Sequence, residues 1–325
     1  MPDPDPNDSQ ADKDDPSTGS GQAKKPKPHV ITRLQFMRDG EGYLTDVKRH
    51  NHVFDIATKK EFEIAHDRWD DGAPVWSPDG TLIAFSANRT DNPDANDNTD
   101  IFVVEARAGA KPRALTTWPG SDSSPAFSPD GKSIAYVRGG DSKDIWYATN
   151  NIALIAVSGG TPTILTAGLD RNVRSPQFTA DGRNVLFLLE EGGNVHLASV
   201  PAAGGSIDRL LNGERDITTF DVAKTGDIVY LDSQPQQPGE IFFVARAFQA
   251  RDRGAESPAR DRGAESPAPQ ATRLTHVNDE FLAKIVYPGE NHGIRRPSFQ
   301  KDRYDRYIAW YEKYLKAPAI KTSSQ

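Results

Sequence analysis

One eight-residue pattern returns along this chain at a fixed interval. Ala73-Pro74-Val75-Trp76-Ser77-Pro78-Asp79-Gly80 is followed by Ser124-Pro125-Ala126-Phe127-Ser128-Pro129-Asp130-Gly131 and by Ser175-Pro176-Gln177-Phe178-Thr179-Ala180-Asp181-Gly182. Gly80, Gly131 and Gly182 are each 51 residues apart, and a decayed copy, Phe220-Asp221-Val222-Ala223-Lys224-Thr225-Gly226, comes next. A period of about 40–50 residues with several strands per unit is the signature of β-propeller blades.

The residue chemistry of the unit agrees. An aromatic ends one strand and Pro-Asp-Gly makes a tight turn. There proline pre-sets φ, aspartate bonds to nearby backbone and glycine takes the positive φ. An alternating apolar strand is expected after each turn: Leu82–Phe85, Ile134–Tyr136, Val185–Phe187 and Ile228–Tyr230. Third strands are read at 100–104, 152–156, 195–198 and 241–244, and fourth strands at 113–116, 163–166, 209–211 and 273–275. The expected fold class is therefore all-β: an incomplete propeller of about four full blades, preceded by a partial blade that includes 52–57 and 61–64. A first strand is expected at Val30–Phe36.

Flanking composition sets the boundaries. Residues 1–28 contain six prolines and six aspartates with almost no large apolar side chain, so they read as a disordered acidic leader. Residues 29–283 hold the propeller. The nine residues 251–259 are repeated without change at 260–268, and a duplication of this kind is tolerated at low entropic cost in a surface loop. From 284 to 317 the pattern becomes strand, loop and helix, with Tyr304, Tyr307, Ile308, Tyr311, Tyr314 and Leu315 on one helical face. Residues 318–325 read as a disordered tail.

Bulk properties exclude several function classes. A formal charge of −7 with interleaved signs supplies no basic face for nucleic acid. The chain has no cysteine, hence no disulfide, thiolate metal site or cysteine nucleophile. No apolar run approaches the ~20 residues of a membrane helix. The N-terminal residues lack an apolar signal core, which leads to the expectation of a cytoplasmic protein. The loop 91–100 offers several oxygen ligands but lacks the glycine and terminal glutamate of an EF-hand, and is read as a solvated inter-strand loop rather than a calcium site. No metal or cofactor is expected.

The segment Tyr287-Pro288-Gly289-Glu290-Asn291-His292-Gly293, following a short strand and preceding an amphipathic helix that ends in Trp310-Tyr311-Glu312-Lys313-Tyr314-Leu315, carries the remaining signal. A Ser-Pro-Asp-Gly propeller followed by this tail resembles the prolyl oligopeptidase family, nearest its bacterial acylaminoacyl-peptidase-like and dipeptidyl-peptidase-like branch. Its propeller motif is shared with TolB-like and WD-like propellers. Arg33–Phe36 with Gly42–Leu44, and Leu274–Asp279, resemble the family's propeller entry and exit. The resemblance implies an α/β-hydrolase domain that cleaves short peptides beside a screening propeller, with His292 as general base in the order serine, acid, histidine.

The chain departs from that family where chemistry is concerned. It contains no Gly-x-Ser-x-Gly, the sharp turn that exposes the nucleophile; Gly140-Asp141-Ser142-Lys143-Asp144 lacks the last glycine. No counterpart of the acid is found between the propeller exit and Val286. The expectation is a shortened member in which 284–317 is a remnant of the hydrolase domain and His292 has no serine to deprotonate. The alternative is a non-catalytic propeller that binds a peptide or protein partner. Exposed blade edges and the 298–316 helix are candidate surfaces for homo-oligomerisation. If the N-terminus is truncated relative to the parent, that parent could instead be periplasmic or secreted.

Overall fold

The computed structural model describes residues 30–38, 42–44, 47–65, 67–144, 147–234, 237–245 and 271–276, with helical positions at 301, 304–306 and 308–309. The chain divides into two compact units, Met1–Gln234 with Gly239–Val277, and Pro235–Pro238 with Asn278–Gln325. The leader, the duplicated nonapeptide, His292 and the tail lie outside the described residues.

In the first unit, β1 (Met37–Arg38) pairs with β2 (Gly42–Tyr43), and β3 (His52–Asp55) pairs with β4 (Lys60–Glu63). Four four-stranded antiparallel meanders follow in sequence order. The first blade is β5 (Val75–Trp76), β6 (Leu82–Ala87), β7 (Asp100–Glu105) and β8 (Arg113–Ala114). The second is β9 (Asp122–Phe127), β10 (Ser133–Arg138), β11 (Asn151–Ala156) and β12 (Thr163–Ile164). The third is β13 (Val173–Phe178), β14 (Asn184–Glu191), β15 (Asn194–Pro201) and β16 (Asp208–Leu211). The fourth is β17 (Asp216–Val222), β18 (Ile228–Gln234), β19 (Gln237–Val244) and β20 (Thr272–Arg273). A single parallel bridge, Val195 to Asp216, links the third blade to the fourth. The expected propeller of four blades plus a partial one is thus observed, the hairpin β3–β4 being the partial blade.

Each Ser-Pro-Asp-Gly forms the turn between the first two strands of a blade. Ser77 N donates to Leu82 O (2.9 Å) and Gly80 N to Ser77 O (2.9 Å). The Ser77 hydroxyl donates to Asp79 Oδ1 (2.6 Å) and accepts from Leu82 N (2.9 Å), while Thr81 N also reaches Asp79 Oδ1 (3.0 Å). The same set recurs at Ser128, Asp130 and Ser133, and at Thr179, Asp181 and Asn184. Gly80, Gly131 and Gly182 sit at φ of 72°, 70° and 70°, the left-handed region that only glycine enters freely. The hydroxyl of Ser77 holds the Asp79 carboxyl below its ordinary pKa, as that of Ser128 does for Asp130. In the fourth blade Ala223 replaces the hydroxyl residue, and Thr225 donates to Asp227 Oδ2 instead (2.6 Å).

A second recurring device closes the outer strands. Thr116 accepts from Ile101 N (3.0 Å) and donates to Asp100 (3.0 Å). Thr166 accepts from Ile152 N (2.9 Å) and donates to Asn151 (3.1 Å). Thr275 accepts from Ile241 N (2.9 Å) and donates to Glu240. Each threonine follows a leucine or its counterpart at the end of the fourth strand, so the Leu-Thr pair is a periodic signal alongside the turn.

Two expectations need correction. The second strands of the first three blades are not alternating, whereas β18 is: Val185, Leu186, Phe187, Leu188 and Leu189 are all fully buried, but in β18 Ile228, Tyr230 and Asp232 are buried and Val229 and Leu231 half-buried. Val185, Phe187 and Leu189 pack toward Ala135, Val137 and Ile152 of the second blade, while Leu186 and Leu188 pack toward Ile217, Phe220 and Tyr230 of the fourth. A sheet covered on both faces selects apolar residues at every position. The strand expected at Val30–Phe36 is irregular chain, with Val30, Ile31 and Leu34 exposed by 53%, 56% and 71%. It is tied down by Arg33, which forms a two-point contact with Asp94, and pairing begins only at Met37.

In the second unit the described positions Lys301, Tyr304–Arg306, Ile308 and Ala309 are helical, and Lys301 pairs with Asp305 one turn on (2.6 Å).

Ser128→Ala removes one acceptor and one donor from a buried turn. It is expected to lower stability by about 1 kcal/mol and the melting temperature by a few degrees, read by circular dichroism.

Candidate functional site

The first strand of each blade faces a common cavity of about 800 Å³. Its wall comes from Val75 and Trp76 of β5, Ala126 and Phe127 of β9, Gln177 and Phe178 of β13, and Val222 of β17. Pro78, Pro129, Ala180 and Ala223, from the four equivalent turns, line it as well. Register between blades is kept partly by these turns: the Pro129 ring lies 3.4 Å from where a Cβ on Gly182 would stand, and Pro78 lies 3.7 Å from that of Gly131. The 51-residue period therefore brings the same turn position of successive blades into contact.

Two segments of the wall are strained. Ser124 and Ser175 adopt φ of 53° and 56°, although each precedes a proline, where extended backbone is the rule. Both lie at β-bulges, where the register shifts between Ala135 and Val137 and between Arg174 and Gln177. A left-handed non-glycine residue costs on the order of 1–2 kcal/mol, and it persists because the flanking ladder holds it. The bulge turns Pro125 and Pro176 to the cavity, so the two Ser-Pro pairs, visible in the sequence at the same 51-residue spacing, mark the lining. Across the next blade boundary the Gln177 amide donates to Phe220 O (2.9 Å) and Arg174 donates to Thr218 O (3.1 Å). The wall is mainly apolar, with Ser124, Ser175, Gln177 and Lys224 as its polar side chains, and Trp76 is 48% exposed within it. Such a surface suits an extended chain segment with small or apolar side chains.

A second cavity, of about 410 Å³, is polar and lies against the first blade, between Arg33, Arg38, Lys48, Asp70, Asp94 and Asn96 among others. Its charges are engaged within the protein. Arg33 holds the Asp94 carboxyl below its ordinary pKa. Arg89 reaches Asp67 (2.9 Å) and Asp71 (3.1 Å) while its guanidinium sits 4.6 Å from the Phe102 ring centroid. In the 91–100 loop Asp91 bonds to Arg68 (3.2 Å), and Asn96 bonds to Asn88 and Thr90. Among the described residues no three acidic or histidine side chains converge as a metal site.

Of the residues singled out from sequence, His292 lies outside the described residues. Ser142, the nearest imitation of a nucleophile, is in a single 3₁₀ turn (Ser142–Asp144) between β10 and β11. Among the described residues no helix is long and apolar enough to cross a membrane.

No family model matches the chain. Sequence relatives do. Dipeptidyl-peptidase 5 of Porphyromonas gingivalis is 28% identical over 152 residues, 45% of this chain and 22% of that protein. Dipeptidyl-peptidase 5 of Aspergillus oryzae is 32% identical over 141 residues, 40% of this chain and 19% of that protein. The Tol-Pal system protein TolB of Francisella tularensis is 27% identical over 198 residues, 48% of this chain and 44% of that protein. The chain thus spans about a fifth of the length of the peptidases it matches and under half of TolB. Among solved structures, an acylaminoacyl peptidase aligns over 80% of this chain and 36% of its own, with 16% identity and a TM-score of 0.53. That of Pyrococcus horikoshii also covers 80% and 36%, with 17% identity and a TM-score of 0.52. Repeat, meanders and central cavity define a TolB-like β-propeller. Over part of its length the chain is similar to the propeller-bearing dipeptidyl-peptidases and to TolB.

Ser175→Gly relieves the left-handed strain at one bulge. It is expected to raise stability by about 1 kcal/mol in chemical denaturation, with Ser175→Ala bringing no gain because the strain remains.

Proposed function

We propose that the propeller takes up a short peptide in its central cavity and that the chain does not hydrolyse it. The observation behind the first part is the cavity itself, with an exposed Trp76, a mainly apolar wall and proline-bearing turns from four blades. Support for the second part comes from the sequence. There is no Gly-x-Ser-x-Gly for a nucleophile, and the stretch between the propeller exit and His292 is too short for a hydrolase sheet. On this reading 284–317 is a remnant of that domain and His292 is its general base without a partner. Triad members act as a unit, so a base alone yields no acyl transfer.

The relatives named dipeptidyl-peptidase and acylaminoacyl peptidase are the ground for choosing a peptide as ligand class, and the TolB relatives favour the alternative of a binding module for a protein partner. Both readings use the same cavity. Self-association through blade edges or the 298–316 helix belongs to the proposal as well. So does compartment: no relative supports the cytoplasmic expectation, and periplasmic or secreted placement fits a Tol-Pal system relative equally.

Immobilised protein exposed to a mixture of short peptides is expected to retain a defined subset at micromolar concentration, and Trp76→Ala to weaken retention at least tenfold. Retention unchanged by Trp76→Ala would remove the cavity from the proposal. A fluorophosphonate probe is expected to label nothing; labelling abolished by His292→Ala would instead establish an active serine peptidase.

A further inference from the structure

The same rung of the first two strands can be followed through four blades. In the first blade Asp71 lies opposite Ala87, in the second Asp122 opposite Arg138, in the third Val173 opposite Leu189, and in the fourth Ile217 opposite Asp232. The third blade solves the position with apolar residues. Asp71 is answered by Arg89 (3.1 Å) and by Asn51 N (3.3 Å), and Asp232 has Arg215 at 3.9 Å. Asp122 differs. It is fully buried, and among the described residues neither of its carboxyl oxygens has a hydrogen-bond partner.

The groups acting on Asp122 are all identifiable. From its own blade come Arg138 and Tyr136, and from the first blade come Asp100 and Thr116. Thr116 gives its only hydroxyl proton to Asp100. The Tyr136 hydroxyl is buried and also without a partner. Arg138, the cross-strand neighbour, stacks on Trp118 with 4.0 Å from guanidinium to ring centroid and also acts on the Tyr136 hydroxyl. Trp118 in turn fastens a tight backbone crossing: its indole N–H donates to Gly139 O (3.1 Å), Gly139 N donates to Ser121 O (2.6 Å), and a Cβ on Gly120 would lie 1.9 Å from Gly140 O.

We propose that Asp122 and Arg138 form a proton-operated latch between the first and second blades. With its proton, Asp122 is neutral and tolerates an apolar site, and Arg138 stays on Trp118. When the proton passes to solvent, a buried carboxylate is left that requires a cation. Arg138 is the cation within reach, and its move to Asp122 releases Trp118 and loosens the Gly120–Gly140 crossing at that edge of the propeller. Burial raises the Asp122 pKa to about 7, with the Thr116 hydroxyl and the Arg138 charge opposing the rise and Asp100 adding to it.

The sign of the stability effect follows. A carboxyl raised in the fold from an ordinary value of 3.8 favours the protonated native state. Its stabilising contribution is full below about pH 4, declines as pH rises to about 7, and is flat above. Tryptophan fluorescence titrated from pH 5 to 9 is expected to show a transition centred near 7 that disappears in Trp118→Phe. In Asp122→Asn the transition should vanish, and the melting temperature should gain most over the parent above pH 7. Arg138→Gln removes the moving cation and should abolish the Trp118-dependent transition while leaving Asp122 in place, which also guards against a misfolded Asp122 variant. Persistence of the transition in Asp122→Asn, as a titrating histidine would give, overturns the proposal, as does a folded parent with no Trp118-dependent transition.

Discussion

Burial of the first three blades on both faces is the constraint on which the rest of this structure depends. In the second blade Ile134 and Tyr136 pack toward the first blade while Ala135 and Val137 pack toward the third. A strand of this kind has no face for water, so the blade is a stable unit only between neighbours, and stability is a sum over shared boundaries. Even the two-stranded partial blade follows the rule, contributing Val53 and Ile64 to a cluster completed by Ile83, Phe85, Phe102 and Val104 of the first blade.

That constraint fixes where polar chemistry can stand. Between blades, Thr116, Thr166 and Thr275 are each answered by a backbone N–H and a strand-head acceptor. Among the described residues Asp122 is the acid with neither oxygen answered, at a blade boundary where the equivalent positions use a cation or an apolar pair. The turns obey a different logic. They lie near solvent, so the Asp79 and Asp130 carboxylates remain ionised and act as acceptors for hydroxyl and backbone donors.

The cavity at the inner strands is a product of the same stacking. First strands are held at the meeting edge of the blades, where the bulges at Ser124 and Ser175 turn proline rings inward in place of a continued ladder. Backbone that is already strained and rigid needs little reordering to meet a ligand, which lowers the entropic cost of binding. Charge is sparse there, so selectivity would rest on shape and apolar contact.

The sequence by itself determined the blade count and the strand order, because a turn built on a hydroxyl residue, an aspartate and a glycine leaves a mark that recurs at a 51-residue period in the first three blades. It also carried the resemblance to the prolyl oligopeptidase family. It misassigned the pattern of the second strands in the first three blades, where Val185–Leu189 for example is continuous, because each of these blades has a neighbour on both sides; the fourth blade's second strand alternates as expected. The Ser-Pro pairs and the Leu-Thr pairs were legible as letters, but their roles were not. A left-handed serine and a threonine bridging two strands depend on register, which local spacing does not encode. Asp122 shows the limit most plainly. In the sequence it is one aspartate among many, and it becomes a buried, unanswered acid because the tertiary structure sets Arg138 on Trp118 and closes the first blade over it.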